Sequence, residues 1–248
     1  MDTLEKYANK FWCVDCIEFL KQLSDNCIDL IIIDPPYLVT KENWDKKEVV
    51  NERLVEELFR VLKDTGNLYC WCGIGEKSQS LIRWFPIFSN KFYFKDLVTW
   101  KKQRGIGMRK GWLYTREEIM WFVKDNKKFV WNQEKQYSNE KRVYTPNPEN
   151  CKSEFKRLTN VWTDINESSL QGAMGQVQIK GHFTPKPIEV IERIIQCHTK
   201  ENDIILDCFI GSGTTARAAQ KLNRRWLGCD ISEEYCKLAR KLQDEIKK

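Results

Sequence analysis

Two short stretches carry residue types that can do chemistry together. In "IDLIIIDPPYLVT", residues 28 to 40, a run with the character of a buried strand ends on the acid Asp34, followed by Pro35, Pro36 and Tyr37. An acid at a strand end can accept hydrogen bonds. Two successive prolines stiffen the turn so that its carbonyls keep a fixed aim, and a flat ring can stack on another. In "IILDCFIGSGTTARAA", residues 204 to 219, Gly211, Gly213, Thr214 and Thr215 lie between a strand and a helix. Glycines there permit a tight turn and close ligand approach, with backbone N–H groups aimed from the helix N-terminus. The next strand ends at Asp230, about 20 residues on, where an acid can accept hydrogen bonds from ribose hydroxyls. This pattern points to a cofactor that contains adenosine. No Gly-Lys-Ser/Thr follows, so a Walker A loop is excluded, while Gly-x-Gly-x-x-Ala also satisfies the dinucleotide fingerprint.

The surrounding sequence alternates short apolar runs with helical patterns, as in a mostly parallel sheet covered by helices. Strands are expected at "KFWCVDC", "IDLIIID", "GNLYCWCG", "KFYFKDLVTW", "EEIMWFVK", "DIILDCF" and "RRWLGCDI". Helices are expected at "IEFLKQL", "NERLVEELFRVLK", "EKSQSLIRWF", "PKPIEVIERIIQCH", "TTARAAQKL" and "SEEYCKLARKLQDEIKK", the last capped by Ser232. From residue 127 to 180 the pattern breaks into a polar, irregular insertion in which Trp131, Phe155 and Trp162 call for burial. A dinucleotide fold needs several more strands after its first βαβ unit, yet only one helix remains here. The earlier strands must complete a circularly permuted sheet. Read as a circle, it runs from "DIILDCF" through "RRWLGCDI" to "KFWCVDC" and "IDLIIID", and Asp207, Asp230, Asp15 and Asp34 all fall at carboxyl ends of strands, where α/β sheets bind ligands.

Length and composition narrow the classes. The 248 residues suit one large α/β domain with an insertion. No apolar run approaches the roughly 20 residues of a membrane span, and the start of the chain lacks a signal-peptide pattern, so an intracellular protein without a membrane partner is expected. The 10 cysteines form no disulfide framework in such a setting, and with 2 histidines and a single CxxC (Cys13 to Cys16) no metal set is complete. Cys70 and Cys72 share one face of a strand, as core thiols do. The net charge of +6 is mild, but "WKKQRGIGMRKGW", residues 100 to 112, concentrates cations beside aromatics in a way that suits a phosphate backbone.

The combination of "DPPY" upstream and "DCFIGSGTT" downstream resembles the amino-methyltransferases of DNA, and the order of the two motifs is that of their beta subgroup. "HFTPKP", residues 182 to 187, is similar to that family's HPTQKP segment, and "CVDCIEFLKQLSDNCIDLIIIDPPY" to its GDCLE to DPPY run. The resemblance implies a circularly permuted, Rossmann-like S-adenosylmethionine-dependent methyltransferase sheet. Residues 1–126 would form the catalytic half, 127–180 a target-recognition region and 181–248 the cofactor-binding half. It implies methyl transfer to adenine N6 by direct displacement on a base rotated out of duplex DNA. Asp34 and a carbonyl of Pro35 or Pro36 would hold the amino group, and Tyr37 would stack on the base. Asp15, Thr184, Lys186, Asp207, Phe209, Gly211, Gly213, Thr214, Thr215 and Asp230 would hold the cofactor, Thr184 and Lys186 near its carboxylate. Taken alone, Asp15 is a helix cap and Thr214 and Thr215 begin a helix. Asp-Pro-Pro-Tyr goes more often with adenine and Ser-Pro-Pro-Tyr with cytosine N4, which is the alternative. An RNA or protein-glutamine methyltransferase, a dehydrogenase and a non-catalytic DNA-binding module are the remaining readings. A homodimer, a cognate restriction endonuclease, a prokaryotic or phage origin and a cytoplasmic location accord with the resemblance.

Overall fold

The computed structural model describes residues 3–39, 45–106, 110, 112–143, 153–166 and 186–246. In chain order the elements are α1 (Thr3–Tyr7), β1 (Lys10–Cys13), α2 (Cys16–Leu20), β2 (Ile28–Ile33), α3 (Glu52–Val61), β3 (Leu62–Cys72), α4 (Ser80–Ser89), β4 (Tyr93–Ile106) and β5 (Tyr114–Val123). There follow β6 (Tyr137–Lys141), β7 (Phe155–Arg157), β8 (Val161–Trp162), α5 (Ile188–His198), β9 (Ile204–Asp207), α6 (Thr214–Lys221), β10 (Arg225–Asp230) and α7 (Glu233–Ile246).

Eight of the described strands form one sheet in the order β1-β10-β9-β2-β3-β5-β4-β8. Strands β1, β10, β9, β2 and β3 run parallel, and β5 reverses the direction between β3 and β4. Counted from β9, the spatial order of the first seven is third, second, first, fourth, fifth, seventh, sixth, so the sheet is permuted as expected. The chain leaves β9 toward β10 on one side and β2 toward β3 on the other. The crevice between β9 and β2 is therefore the switch point at which open α/β sheets bind ligands.

Period-two alternation divides the sheet between two cores. Ile31 and Ile33 of β2, with Leu68, Cys70 and Cys72 of β3, join Phe19, Leu54, Leu58 and Trp84 from α2, α3 and α4. Leu30 and Ile32, with Tyr69 and Trp71, face Ile191, Ile194 and Ile195 of α5 and Ala216 and Ala219 of α6. Asn51 caps α3 by accepting from Leu54 N at 3.1 Å, and Leu54, Val55, Leu58 and Val61 form its buried stripe.

Three features differ from the sequence reading. Helix α4 begins at Ser80 rather than Glu76, because Gln79 takes a left-handed conformation at φ 47. Strand β4 continues through the first part of the basic stretch to Ile106, which pairs with Tyr114, so the cations begin on a hairpin arm. The insertion is also less irregular than expected. Strands β6 and β7 pair with each other, and β8 joins the main sheet alongside β4 with Trp162 buried.

Buried His198 closes α5 against the sheet. Its Nδ1 lies 2.8 Å from the carbonyl of Val130, which can only accept, so Nδ1 carries the proton and Nε2 accepts from the Tyr69 hydroxyl at 2.8 Å. Burial lowers its pKa from 6.5 to about 4, with the Val130 carbonyl opposing. The unfolded chain thus takes up a proton that the folded chain refuses, and stability is lost as pH falls from 6.5 toward 4. That linkage is about 3 kcal/mol in full. In urea titrations the stability difference between wild type and His198→Gln should shrink by most of that amount from pH 7 to pH 4.5; a constant difference would show that His198 titrates normally.

Candidate active site

The strand register brings the predicted acids to one edge. Asp207 ends β9 beside Gly228 of β10, and Asp230 ends β10 beside Cys13 of β1. Leu206 pairs with Ile31, which puts Asp34 just beyond the neighbouring end of β2. A cleft over these ends is lined by Asp15, Cys16, Asp34, Pro36, Phe209, Asp230 and Ile231, among others. A larger cavity of about 530 Å³ lies elsewhere, walled by Tyr69, Trp121, Trp131 and Trp162. It holds none of the four acids, so the chemistry argues for the smaller cleft.

Each acid has its own donors. Asp15 caps α2, accepting from Ile17 N at 2.9 Å and Glu18 N at 3.2 Å. Buried Asp207 accepts from Thr215 Oγ1 at 2.6 Å and Phe209 N at 3.0 Å. Burial raises its pKa to about 7 against those two donors, with the Asp34 and Asp230 charges adding to the rise. Asp230 accepts from Gly211 N at 3.0 Å and Ser232 N at 2.9 Å, which ties the glycine turn to the end of β10. Burial lifts its carboxyl above the usual range while the Ser232, Gly211 and Ile231 amides pull it back.

Gly211 and Gly213 have φ of 48 and 80, the left-handed region in which glycine is free of strain. A Cβ on Gly211 would meet no atom nearer than 3.9 Å, whereas one on Gly213 would sit 3.1 Å from the Phe11 ring. Gly211 thus leaves room beside the cleft and Gly213 permits close packing. Thr214 is buried and accepts from Arg217 at 3.1 Å. The residues present suit an adenosine group: Phe209 and Ile231 offer apolar surface for a flat ring, and Asp15 and Asp230 offer carboxylates for amino or hydroxyl donors.

At the other side of the cleft Asp34 is half-buried between two partners. The Tyr37 hydroxyl donates to Oδ1, and Lys186 Nζ lies 3.0 Å from Oδ2. Burial, then the charges of Asp34 and Glu117, hold the Tyr37 phenol well above its ordinary pKa, so it remains a donor. The turn beyond is pinned by buried Asp45, whose oxygens accept from Leu38 N at 2.7 Å and Val39 N at 2.8 Å while Leu38 adopts φ 63. Lys186 also lies 2.9 Å from Glu117 Oε2, and Lys102 lies 2.5 Å from Glu117 Oε1. Burial would raise the Glu117 carboxyl, but the two lysines outweigh it and hold the pKa at about 2. Burial opposes the Lys186 charge, and Asp34 and Glu117 together raise its pKa above the ordinary value.

The structure therefore brings Asp15, Asp34, Pro36, Phe209 and Asp230 around one cleft, with Asp207, Gly211 and Thr215 in its supporting frame. Lys186, expected at the cofactor carboxylate, has two carboxylate partners within the protein. Thr184 lies outside the described residues, as do parts of the 127–180 region and of the basic stretch. The reading of the sequence missed Glu117, Lys102 and Asp45. "TREEIM" carries no chemical motif, and only the pairing of β5 with β4 and β3 shows where Glu117 points.

Fold and cleft together define a Rossmann-like methyltransferase. Comparison with known proteins gives the family. The model of the N6/N4 methyltransferases, described as DNA methylase, matches residues 28–241. The chain is 30% identical to type II methyltransferase M1.MboII of Moraxella bovis, over 92% of this chain and 93% of that protein. It is 33% identical to type II methyltransferase M.HpaI of Haemophilus parainfluenzae, over 94% and 73%. The crystal structure of an M1.HpyAVI–SAM complex superposes with a TM-score of 0.63 at 26% identity, covering 95% of this chain and 98% of that one. The fold is shared with the cytosine-N4-specific PvuII DNA methyltransferase, at a TM-score of 0.65 and 17% identity over 94% and 89%. The chain belongs to the N6/N4 DNA methylase family, and its cofactor is S-adenosylmethionine.

If Asp230 supports the cofactor as its position suggests, Asp230→Ala removes the acceptor of two backbone amides and of a ligand donor. S-adenosylmethionine affinity measured by calorimetry should fall by roughly tenfold or more, the scale of a lost hydrogen bond to a charged group. Unchanged affinity would limit Asp230 to holding the loop.

Proposed function

We propose that this DNA methyltransferase acts on the exocyclic N6 of adenine in duplex DNA, by direct displacement on a flipped base, with Asp34, Pro35, Pro36 and Tyr37 as the catalytic segment. The observation that carries the reading is the setting of Asp34, a carboxylate fixed by Tyr37 and Lys186 over the cleft that also contains Asp15, Phe209 and Asp230. Asp34, where the cytosine-type motif has serine, is what favours adenine.

An exocyclic amino group is a poor nucleophile because its lone pair is delocalised into the ring. Asp34 and a backbone carbonyl of the Pro35–Pro36 turn would each accept one amino hydrogen, drawing the nitrogen toward tetrahedral geometry and directing its lone pair into the cleft. S-adenosylmethionine supplies the electrophilic methyl, carried on a sulfonium. The methylated nitrogen is cationic, and Asp34 is the carboxylate placed to take the proton it sheds. Buried Pro35 gives the carbonyl a rigid origin. Tyr37 would stack on the extruded base, which an enzyme cannot reach inside the duplex. Asp15, Asp207, Phe209, Gly211, Gly213, Thr214, Thr215 and Asp230 would form the cofactor side, with Thr184 joining them. Residues 127–180 would read the target sequence, and the basic hairpin would meet phosphates. A bacterial cytoplasm and a cognate endonuclease are in keeping with the type II relatives, and a homodimer with the family resemblance.

With tritiated S-adenosylmethionine and DNA of mixed sequence, nucleoside analysis should find label in N6-methyladenine, lost in Asp34→Ala. Label on cytosine N4 would overturn the target base and keep the site. DNA affinity should also fall by about tenfold or more between 50 and 200 mM salt if several phosphates are neutralised. Binding insensitive to salt would remove the role given to the hairpin.

A further inference from the structure

Lys186 and Asp34 come from distant parts of the chain, yet they form one member of a longer series. Asp34, Lys186, Glu117 and Lys102 alternate in charge, with successive contacts of 3.0, 2.9 and 2.5 Å. The inner pair is well shielded, with side-chain exposures of 16% for Lys186 and 20% for Glu117. Lys186 also lies 5.9 Å from the ring centroids of both Tyr37 and Trp71. The ammonium therefore has two aromatic rings and two carboxylates among its neighbours.

An acceptor that must grip an amino hydrogen works best with its negative charge available. A single lysine close to Asp34 in a shielded site would draw that charge to itself and weaken the grip. It would also be free to pull the carboxylate out of line. Glu117 supplies a second anion to the same ammonium, so the cation is divided between two carboxylates. Lys102, in turn, balances Glu117, which lets that acid stay ionised beneath the site. This arrangement orients Asp34 without neutralising it.

We propose that Glu117 is a positioning residue of the methyl-transfer site, acting through Lys186 to keep the Asp34 carboxylate aimed and strong as an acceptor. The inference rests on the proposed reaction and adds to it a residue that never touches the substrate. Removing the Glu117 charge leaves Lys186 wholly on Asp34, and the cost falls on the transfer step rather than on binding.

The test is single-turnover methylation of DNA at saturating S-adenosylmethionine and DNA, with both affinities and the melting temperature measured for every variant. Glu117→Gln should slow transfer roughly tenfold or more while both affinities stay within about threefold, the pattern of a lost transition-state interaction. Glu117→Asp, which keeps the charge, should recover a substantial part of the rate and serves as the second variant if Gln does not fold. Because Glu117 acts through Lys186, E117Q should add little to the loss already caused by Lys186→Met. A wild type that labels DNA, beside an E117Q variant of equal rate, overturns the inference alone. So does an E117Q effect that multiplies undiminished with that of K186M. A wild type that labels no DNA removes the proposed reaction and the inference together.

Discussion

Four carboxylates at the ends of neighbouring parallel strands repel one another, and the donors that offset this repulsion decide how the loops above the sheet are built. Asp15 is met by the first amides of α2, Asp207 by Thr215 and Phe209, Asp230 by Gly211 and Ser232, and Asp34 by Tyr37 and Lys186. In each case the donor is also a structural tie. The α2 cap starts a helix, the Asp207 contacts bind the glycine loop to β9, and the Asp230 contacts bind it to β10. A buried acid is costly unless it is hydrogen-bonded, and here the satisfaction of each acid fixes a loop. Asp207 is the most exacting of the four, since its pKa rises to about 7 even with two donors in place. Such an acid belongs to the frame of the cleft, whereas Asp34 stays half-exposed between Tyr37 and Lys186.

The permuted order of the chain explains how the two halves of the cleft are made independently. The glycine loop, α6 and Asp230 form a continuous unit between β9 and β10. The Asp34 turn follows β2, on the opposite side of the switch point. Lys186 precedes α5, which packs across the second core, so the partner of Asp34 comes from a third segment of the chain. The reversal of β5 then delivers Glu117 to the same place, since Glu117 pairs with Trp100 and Glu118 with Cys72 near the carboxyl end of β3. A parallel strand at that position would have presented its far end there. The antiparallel β5 between β3 and β4 is thus part of the construction of the cleft.

Local patterns in the sequence made the glycine loop and the four strand-end acids legible, because motif and geometry lie within a few residues of each other. The α3 stripe of Leu54, Leu58 and Val61 was equally clear from its helical period. What escaped was non-local. The two residues of β8 carry no period, and their strand character comes entirely from β4. The late start of α4 depends on Gln79 adopting a left-handed conformation that nothing in its residue type demands. Glu117 stands beside Glu118 in an ordinary strand, where alternation alone cannot say which acid faces the catalytic turn. Glu118 instead accepts from Thr99 at 2.6 Å and pairs with Arg116 at 3.1 Å. Lys186 was visible beside Pro187, but the carboxylates that claim it lie in two other segments.

The cysteines bear on the chemistry by what they withhold. Cys16 and Cys208 both line the cleft, close enough to its acids to invite a nucleophilic role. Burial, and then the negative charge of Asp15, pushes the Cys16 thiol up to about 12, and burial with the neighbouring thiols also raises Cys208. A protonated thiol is a weak nucleophile. Burial above all, with the neighbouring acids adding to it, keeps these sulfurs protonated. Attack by an enzyme thiolate on a base is disfavoured accordingly. Protonated, buried sulfurs leave the proposed reaction to the substrate's own nitrogen, the role in which the proposal places the Asp34 turn.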